Sequence, residues 1–348
     1  MLFNTLVKVA LVATAFAQPV QHQHHQHEKK DVVTHTVIVT VNGDAADSAE
    51  TLIPEVPDVV TSLIASSVTP SAASATPASS TSSTSVSSSS SSFSADVKGI
   101  TYSPYTDAGG CKTKEQIAAE FEALTGYEII RLYGVDCSQV EYVLAAMSSS
   151  QKLFAGIYDM TSISDDVATL AAAVEAANGW DQVYTVSIGN ELVNSGEATA
   201  SQVKEYVAEG RTALTNAGYT GPVVSVDTFI AIYNNIDLCD ISDYVAANAH
   251  AYFDGGYAAA DAGTWVYNQY TGLQKFCSGK EVFIVESGWP TAGDTNGDAI
   301  AGTSEQAAAL SDIADKVGDH VLYFNAYNDG WKDPGYLSCE QYWGIFSS

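Results

Sequence analysis

Strand-like and helix-like segments alternate along the chain from about residue 97 to its end. Eight short apolar runs, most of them rich in β-branched residues, predict strands at 97–102, 128–134, 152–159, 184–192, 223–227, 244–253, 282–286 and 321–327. Between them apolar residues recur at helical spacing, as at Ile117, Phe121 and Leu124, which follow the capping-box pair Thr113 and Gln116. Further helices are predicted to begin at Ser138, Ser164 and Thr303.

The number and order of these segments predict the fold class. Eight strand–helix units in roughly 250 residues match the rhythm of an α/β (β/α)8 TIM barrel. A doubly wound sheet is the alternative. The barrel is favoured because polar and aromatic residues follow strand after strand, where one barrel mouth would collect them. They are Tyr102, Tyr105, Tyr133, Tyr158, Asp159, Asn190, Glu191, Asp227, His250, Tyr252, Glu286, Trp289, Asp329 and Trp331.

The first 94 residues have a different composition. Residues 1–17 have the basic start, apolar run and small-residue cleavage site of a secretory signal, and residues 18–30 read as a His-rich pro-segment ending in Lys29-Lys30. Residues 31–94 comprise an extension and a Ser/Thr-rich linker, which we expect to be disordered and O-glycosylated. The predicted barrel therefore occupies residues 95–348 of a secreted protein.

Composition excludes several classes of partner. The formal net charge is −27, with 14 basic residues against 41 acidic ones, so no extended basic surface for nucleic acid is expected. The apolar run of the signal is too short to cross a membrane, and no other stretch is long enough. No cofactor is expected, and no metal site, because the predicted barrel has no Cys-x-x-Cys pair or Cys/His cluster.

Five cysteines in a secreted chain predict two disulfides and one remaining thiol. Cys111 and Cys137 follow the first two predicted strands, whereas Cys239 and Cys277 precede the sixth and seventh. We therefore predict the pairs Cys111–Cys137 and Cys239–Cys277, at opposite ends of the barrel. Cys339 is left either buried as a small apolar group or available for disulfide attachment to wall proteins.

Two carboxylates carry the candidate chemistry. The strand at 184–192 ends in Asn190 and Glu191, and the strand at 282–286 ends in Glu286, followed three residues later by Trp289. A retaining glycosidase needs such a pair about 5 Å apart, one carboxyl to protonate the leaving oxygen and one to attack the sugar carbon. Trp289 is expected to offer a stacking face to the sugar ring.

The motifs KGITYSPY, RLYGVDC, SIGNE, NAHAYF, VESGWP and NDGWK together resemble the family 17 glycoside hydrolases. The resemblance covers residues 97–348 and is specific to the fungal cell-wall β-1,3-glucanase and glucanosyltransferase branch. The signal, the dibasic pair and the Ser/Thr stalk are similar to those of the wall mannoprotein members. The resemblance implies a (β/α)8 barrel, a β-1,3-glucan substrate and a cell-wall location.

The same resemblance implies roles for single residues. Glu191 would be the proton donor, Glu286 the nucleophile, Asn190 would hold the substrate 2-hydroxyl, and Tyr252 would hydrogen-bond the nucleophile. The chain departs from many relatives in FNAYNDGWK, where Asn325 and Asn328 stand at positions that are often acidic. The other predicted substrate-binding residues are Tyr102, Tyr133, Trp289, Asp329, Trp331 and Lys332.

The sequence thus predicts a retaining endo-β-1,3-glucan hydrolase or glucanosyltransferase. The alternative is a non-catalytic, glucan-binding wall mannoprotein that reuses the barrel. Loss of either glutamate would favour that alternative, and both Glu191 and Glu286 are present.

Overall fold

A parallel barrel forms the body of the protein. The computed structural model describes residues 98–318 and 320–346. Within these ranges nine strands pair in the order β5-β4-β3-β2-β1-β9-β8-β7-β6, and every pairing is parallel. The strands are β1 Gly99–Thr101, β2 Ile129–Arg131, β3 Lys152–Ile157, β4 Val183–Ile188, β5 Val223–Val224, β6 Val226–Thr228, β7 Val245–Asn248, β8 Val282–Ser287 and β9 Val321–Tyr323.

The ninth strand comes from a break inside the fifth predicted one. Ser225 separates β5 from β6, and its backbone amide donates to the hydroxyl of Ser242 at 2.7 Å instead of to a neighbouring strand. β5 pairs with β4, whereas β6 pairs with β7, so the chain itself joins the two ends of the sheet. The predicted (β/α)8 barrel is confirmed.

Helices cover the outside of the barrel. In the described part of the chain they are α1 Lys114–Phe121, α2 Gln139–Ala146, α3 Ile163–Ala176, α4 Ala200–Asn216, α5 Phe229–Asn234, α6 Leu238–Ile241, α7 Ala262–Phe276 and α8 Thr303–Val317. The capping box of Thr113 and Gln116 is confirmed. Ser138 and Ser164 are not side-chain caps: Ser138 is left-handed, and Ser164 already lies inside α3.

Two apolar layers follow from the alternation of side chains along the strands. Ile129, Phe154, Val224, Val226, Tyr244, Ala246, Phe283, Val285 and Leu322 fill the inside of the barrel. Their neighbours in sequence, such as Ile130, Leu153 and Ile284, pack outward against the helices. The same alternation turns Arg131, two residues after Ile129, into the barrel, where it is buried.

Both predicted disulfides are present. Cys111 bonds Cys137, Cys239 bonds Cys277, and the Cα atoms are 5.4 Å apart in each pair. Cys339 is free, and its side chain is fully buried. Burial agrees with the apolar role for this thiol and opposes its use as an attachment point.

Residues 1–97 lie outside the described residues, and with them the predicted signal, pro-segment, extension and Ser/Thr-rich linker. Within 98–318 and 320–346, no helix combines the length and apolar character that crossing a membrane requires.

Candidate active site

A strained turn carries Glu191 into the mouth of the barrel. β4 ends at Ile188, and Gly189 follows with φ 77°. Glu191 itself has φ 55°, a conformation that residues other than glycine seldom adopt and that is often found at functional sites. Its backbone amide donates to the carbonyl of Val226 at 2.9 Å, which ties the turn to β6.

Asp227 holds the chain that follows this turn. Its carboxylate accepts from the backbone amide of Val193 at 2.9 Å and from that of Asn194 at 3.1 Å. Burial raises the pKa of Asp227, whereas these bonds to the ionised form oppose the shift. Asp227, which the sequence placed in the mouth, therefore fixes the backbone beside Glu191.

Glu286 is buried, and three side chains contact its carboxylate. Its Oε1 accepts from Arg131 Nη1 at 2.8 Å and from the hydroxyl of Tyr133 at 2.8 Å. Its Oε2 lies 3.3 Å from Nε2 of His250. Because two donors occupy Oε1, Oε2 is the less encumbered of the two oxygens.

Arg131 connects the two halves of the site. Besides Glu286, Nη1 contacts the backbone carbonyl of Val285 at 2.8 Å and Oδ1 of Asn248 at 3.3 Å. Nη2 donates to Oδ1 of Asn190 at 2.8 Å, the residue before Glu191. Asn248 Nδ2 completes the connection by donating to Glu191 Oε1 at 2.8 Å.

The surroundings shift the pKa values of the two glutamates in opposite directions. Burial and then the nearby charge of Glu286 raise the pKa of Glu191 to about 7. Burial alone would raise the pKa of Glu286 as well, but the charge of Arg131 and the contacts from His250 and Tyr133 outweigh it and lower that pKa to about 2. Between these values Glu191 is protonated while Glu286 is ionised.

Two expectations for aromatic residues are wrong. The hydroxyl of Tyr252 donates to the carbonyl of Asp294 at 2.5 Å, and it is Tyr133 that donates to Glu286. Trp289 is fully buried, with its Nε1 donating to the carbonyl of Ile300 at 2.8 Å, so it has no face for a sugar ring. Both side chains instead anchor the loop that follows β8.

Tyr102 is also unavailable to a substrate. It is fully buried, and its hydroxyl donates to Glu120 Oε2 at 2.5 Å. Its ring packs edge-on against Phe121 and Tyr327. The prediction that it binds substrate is wrong, since the tyrosine turns outward between β1 and α1.

The segment after β9 provides a polar edge to the mouth. Asp329 is buried and accepts from Trp331 Nε1 at 3.0 Å and from Asn325 Nδ2 at 2.8 Å, and it pairs with Lys332 at 3.1 Å. Trp331 is 38% exposed and packs edge-on against Tyr105. Asp329 therefore supplies the carboxylate of this edge, and the partly buried Lys332 pairs with it beside the exposed Trp331.

Sequence reasoning left three residues of the site without a role: Arg131, Asn248 and His250. Arg131 carried a signal, because a charged residue inside the apolar run EIIRLYG needs a buried partner. Asn248 and His250 gave no comparable signal, since polar residues are common at strand ends. No group of three or more His, Cys, Asp or Glu residues within 98–318 and 320–346 is arranged to hold a metal ion.

Known proteins resemble the whole chain and its barrel. Residues 99–344 match the family described as the BtgE/BtgC glycoside hydrolase domain. Cell surface mannoprotein MP65 of Candida albicans is 52% identical over 378 residues, covering 100% of each chain. Probable family 17 glucosidase SCW10 of Saccharomyces cerevisiae is 49% identical and covers 99% of each chain.

Solved structures agree on the fold. The glycoside hydrolase family 17 β-1,3-glucanosyltransferase from Rhizomucor miehei aligns with a TM-score of 0.61 at 21% identity, covering 72% of this chain and 92% of that chain. At this identity the likeness concerns the fold alone. The match over residues 99–344 and the two full-length relatives show that the chain belongs to the BtgE/BtgC glycoside hydrolase family, in agreement with its resemblance to the family 17 glycoside hydrolases.

Proposed function

We propose that the protein is a retaining endo-β-1,3-glucan hydrolase or glucanosyltransferase of the fungal cell wall. The observation that carries the proposal is the pair of carboxyl groups that Arg131 and Asn248 link by hydrogen bonds, with pKa values driven apart to about 7 for Glu191 and about 2 for Glu286. A pair of this kind is what double displacement requires, since one group must give a proton while the other attacks.

In the first step Glu286 Oε2 attacks the anomeric carbon while Glu191 protonates the departing glycosidic oxygen. Formation of the glycosyl ester removes the charge of Glu286, which is one cause of the raised pKa of Glu191. Glu191, which has already given its proton to the leaving group, then stays ionised and takes a proton from the attacking water or sugar hydroxyl in the second step. Asn190, held by Arg131, lies beside Glu191, where it would hold the substrate 2-hydroxyl.

The substrate class is supported by the relatives and by the composition of the chain. Relatives are named family 17 glucosidase and cell surface mannoprotein, and a related fold was solved with laminaritriose. A net charge of −27 suits a neutral polysaccharide better than an anionic one. Trp331, Tyr158 and Phe253 are exposed aromatic rings that a glucan chain would stack upon.

Product analysis on β-1,3-gluco-oligosaccharides tests the proposal. The wild-type enzyme should release β-configured reducing ends or longer transfer products, detected by proton NMR and chromatography at early times. Glu286→Gln is nearly isosteric and should abolish both activities while keeping the thermal unfolding transition. Substantial turnover by Glu286→Gln, or α-configured first products, would contradict the mechanism. Binding without turnover by the wild type would favour the non-catalytic mannoprotein.

A further inference from the structure

Asn248, the last residue of β7, is held from three sides. The side chain is 1% exposed, and Nδ2 donates to Glu191 Oε1 at 2.8 Å and to Asn190 Oδ1 at 3.3 Å. On the other side its Oδ1 accepts from Arg131 Nη1 at 3.3 Å. The register of β7 against β8 shifts immediately before Asn248, which places it opposite Glu286.

Arg131 determines which end of this amide faces Glu191. A guanidinium has only donors, so the amide oxygen of Asn248 must face Arg131. The amide nitrogen is then directed to Glu191 and cannot be exchanged with the oxygen without breaking that contact. Asn248 therefore offers Glu191 a hydrogen-bond donor and no acceptor.

We propose that Asn248 is a positioning residue that keeps Oε1 of Glu191 unprotonated, so that the proton to be transferred resides on Oε2. A proton on Oε1 would point at the hydrogens of the Asn248 amide, whereas Oε2 has no such donor among the described contacts. The inference rests on the proposed function, in which Glu191 gives up this proton to the glycosidic oxygen.

The contact has a second consequence for the base step. A donor to Oε1 stabilises the ionised form of Glu191 and works against burial, which stabilises the protonated form. Arg131 hydrogen-bonds both Asn248 and Glu286. The same cation therefore orients the amide that donates to Glu191 and binds the carboxylate of Glu286. Asn248 thereby limits how far the pKa of Glu191 rises and keeps it usable in both steps.

Other charged or titratable groups also act on Glu191, and the test must hold them constant. They are Glu286 and His250 at the ends of β8 and β7, Asp227 on β6 and Tyr158 after β3, and Arg131 on β2 is linked to Glu191 through Asn190 and Asn248. Substitution of Asn248 leaves all of these groups in the chain. A changed titration of Glu191 in Asn248→Ala is therefore assignable to loss of the amide.

The experiment compares full-length wild type with Asn248→Ala and Asn248→Asp. The titration of Glu191 is followed by NMR with ¹³C-labelled glutamate carboxyls, and its signal is assigned by its loss in Glu191→Gln. Removing a donor to a charged group should move the pKa of Glu191 and the alkaline limb of kcat/KM up by about one pH unit in Asn248→Ala. Asn248→Asp should move both further, because a second carboxyl replaces the donor.

Ser225→Ala is the matched control, since it also truncates a buried polar side chain of the barrel. Among the described side chains, the Ser225 hydroxyl hydrogen-bonds Ser242 and neither Glu191 nor Glu286. It should leave the titration of Glu191 unchanged. Asn248→Asp is nearly isosteric, so it keeps the test available if Asn248→Ala fails to fold. An unchanged titration of Glu191 in Asn248→Asp would overturn the inference. Absence of glucan turnover in the wild type would refute the proposed function instead, and the NMR titration would still decide the role of Asn248.

Discussion

Nη1 of Arg131 lies 2.8 Å from Oε1 of Glu286, and both side chains are almost completely enclosed by the barrel. Breaking a buried pair by removing one partner leaves an uncompensated charge, which commonly costs about 3–5 kcal/mol. The pair therefore links the electrostatics of the site to the stability of the fold.

Arg131→Met should destabilise the protein most at neutral pH, because Glu286 remains buried without its cation. In the wild type the lowered pKa of Glu286 contributes stability above pH 4.5, and this is lost as pH falls toward about 2. In the variant only the contacts from His250 and Tyr133 still oppose burial, so the pKa of Glu286 rises. The difference in unfolding free energy should therefore shrink as pH falls from 4.5 toward 2, as measured by urea unfolding.

Arg211→Met is the control for this prediction, since Arg211 makes a partly exposed pair with Asp243 at 2.8 Å. Such pairs are worth about 0–1 kcal/mol, so its effect should be small. A loss in Arg131→Met that is equally small, or one that does not shrink with acid, would contradict the buried-pair account.

Activity should fall as pH rises through about 7, where Glu191 loses the proton that the leaving group needs. Glu191→Gln should impair hydrolysis of β-1,3-gluco-oligosaccharides far more than glycosylation by an activated aryl glycoside, whose departure needs little protonation. Pre-steady-state bursts with the aryl substrate separate this step from the second one. Equal losses of the glycosylation rate on both substrates would count against Glu191 as the acid.

Tyr133→Phe and Tyr252→Phe should differ although each removes one phenolic hydroxyl. Tyr133 donates to the ionised Glu286, so loss of this hydroxyl should lower kcat/KM by about 10- to 100-fold. It should also move the acid limb of the pH profile of kcat/KM to higher pH, because the pKa of Glu286 rises. Tyr252 donates to a loop carbonyl, so its loss should reduce thermal stability with little change in either limb. The opposite ranking would restore Tyr252 as the partner of the nucleophile.

Cys339 should resist thiol reagents in the folded protein and react once the protein is unfolded. The thiol is fully buried, and burial and then the charge of Glu340 raise its pKa to about 12, so almost no thiolate forms at neutral pH. Labelling kinetics followed by mass spectrometry measure this directly. Non-reducing mass mapping of secreted protein should show Cys339 unpaired, and a mixed disulfide at this position would contradict its burial.

The sequence by itself determined the barrel and the two carboxylates. Repeated apolar runs separated by helical periodicity leave few alternatives to a parallel barrel, and the carboxyl ends of its strands meet at one mouth. That geometry brings Glu191 and Glu286 to the same end although they are far apart in the chain. Cysteine positions relative to the strands were similarly sufficient for both disulfides.

Only the tertiary structure decided which neighbours serve those carboxylates. Phe283 and Val285 point into the barrel, so strict alternation along β8 would turn Glu286 outward. Glu286 lies in the mouth instead, because the pairing of β8 with both neighbouring strands is irregular. The sequence contains no marker for such a shift, because it arises from the packing of three strands at once. Tyr133 rather than Tyr252 contacts Glu286, and Trp289 turns away from the mouth, for the same reason: side-chain direction depends on loop conformation and burial, which residue type and spacing do not specify.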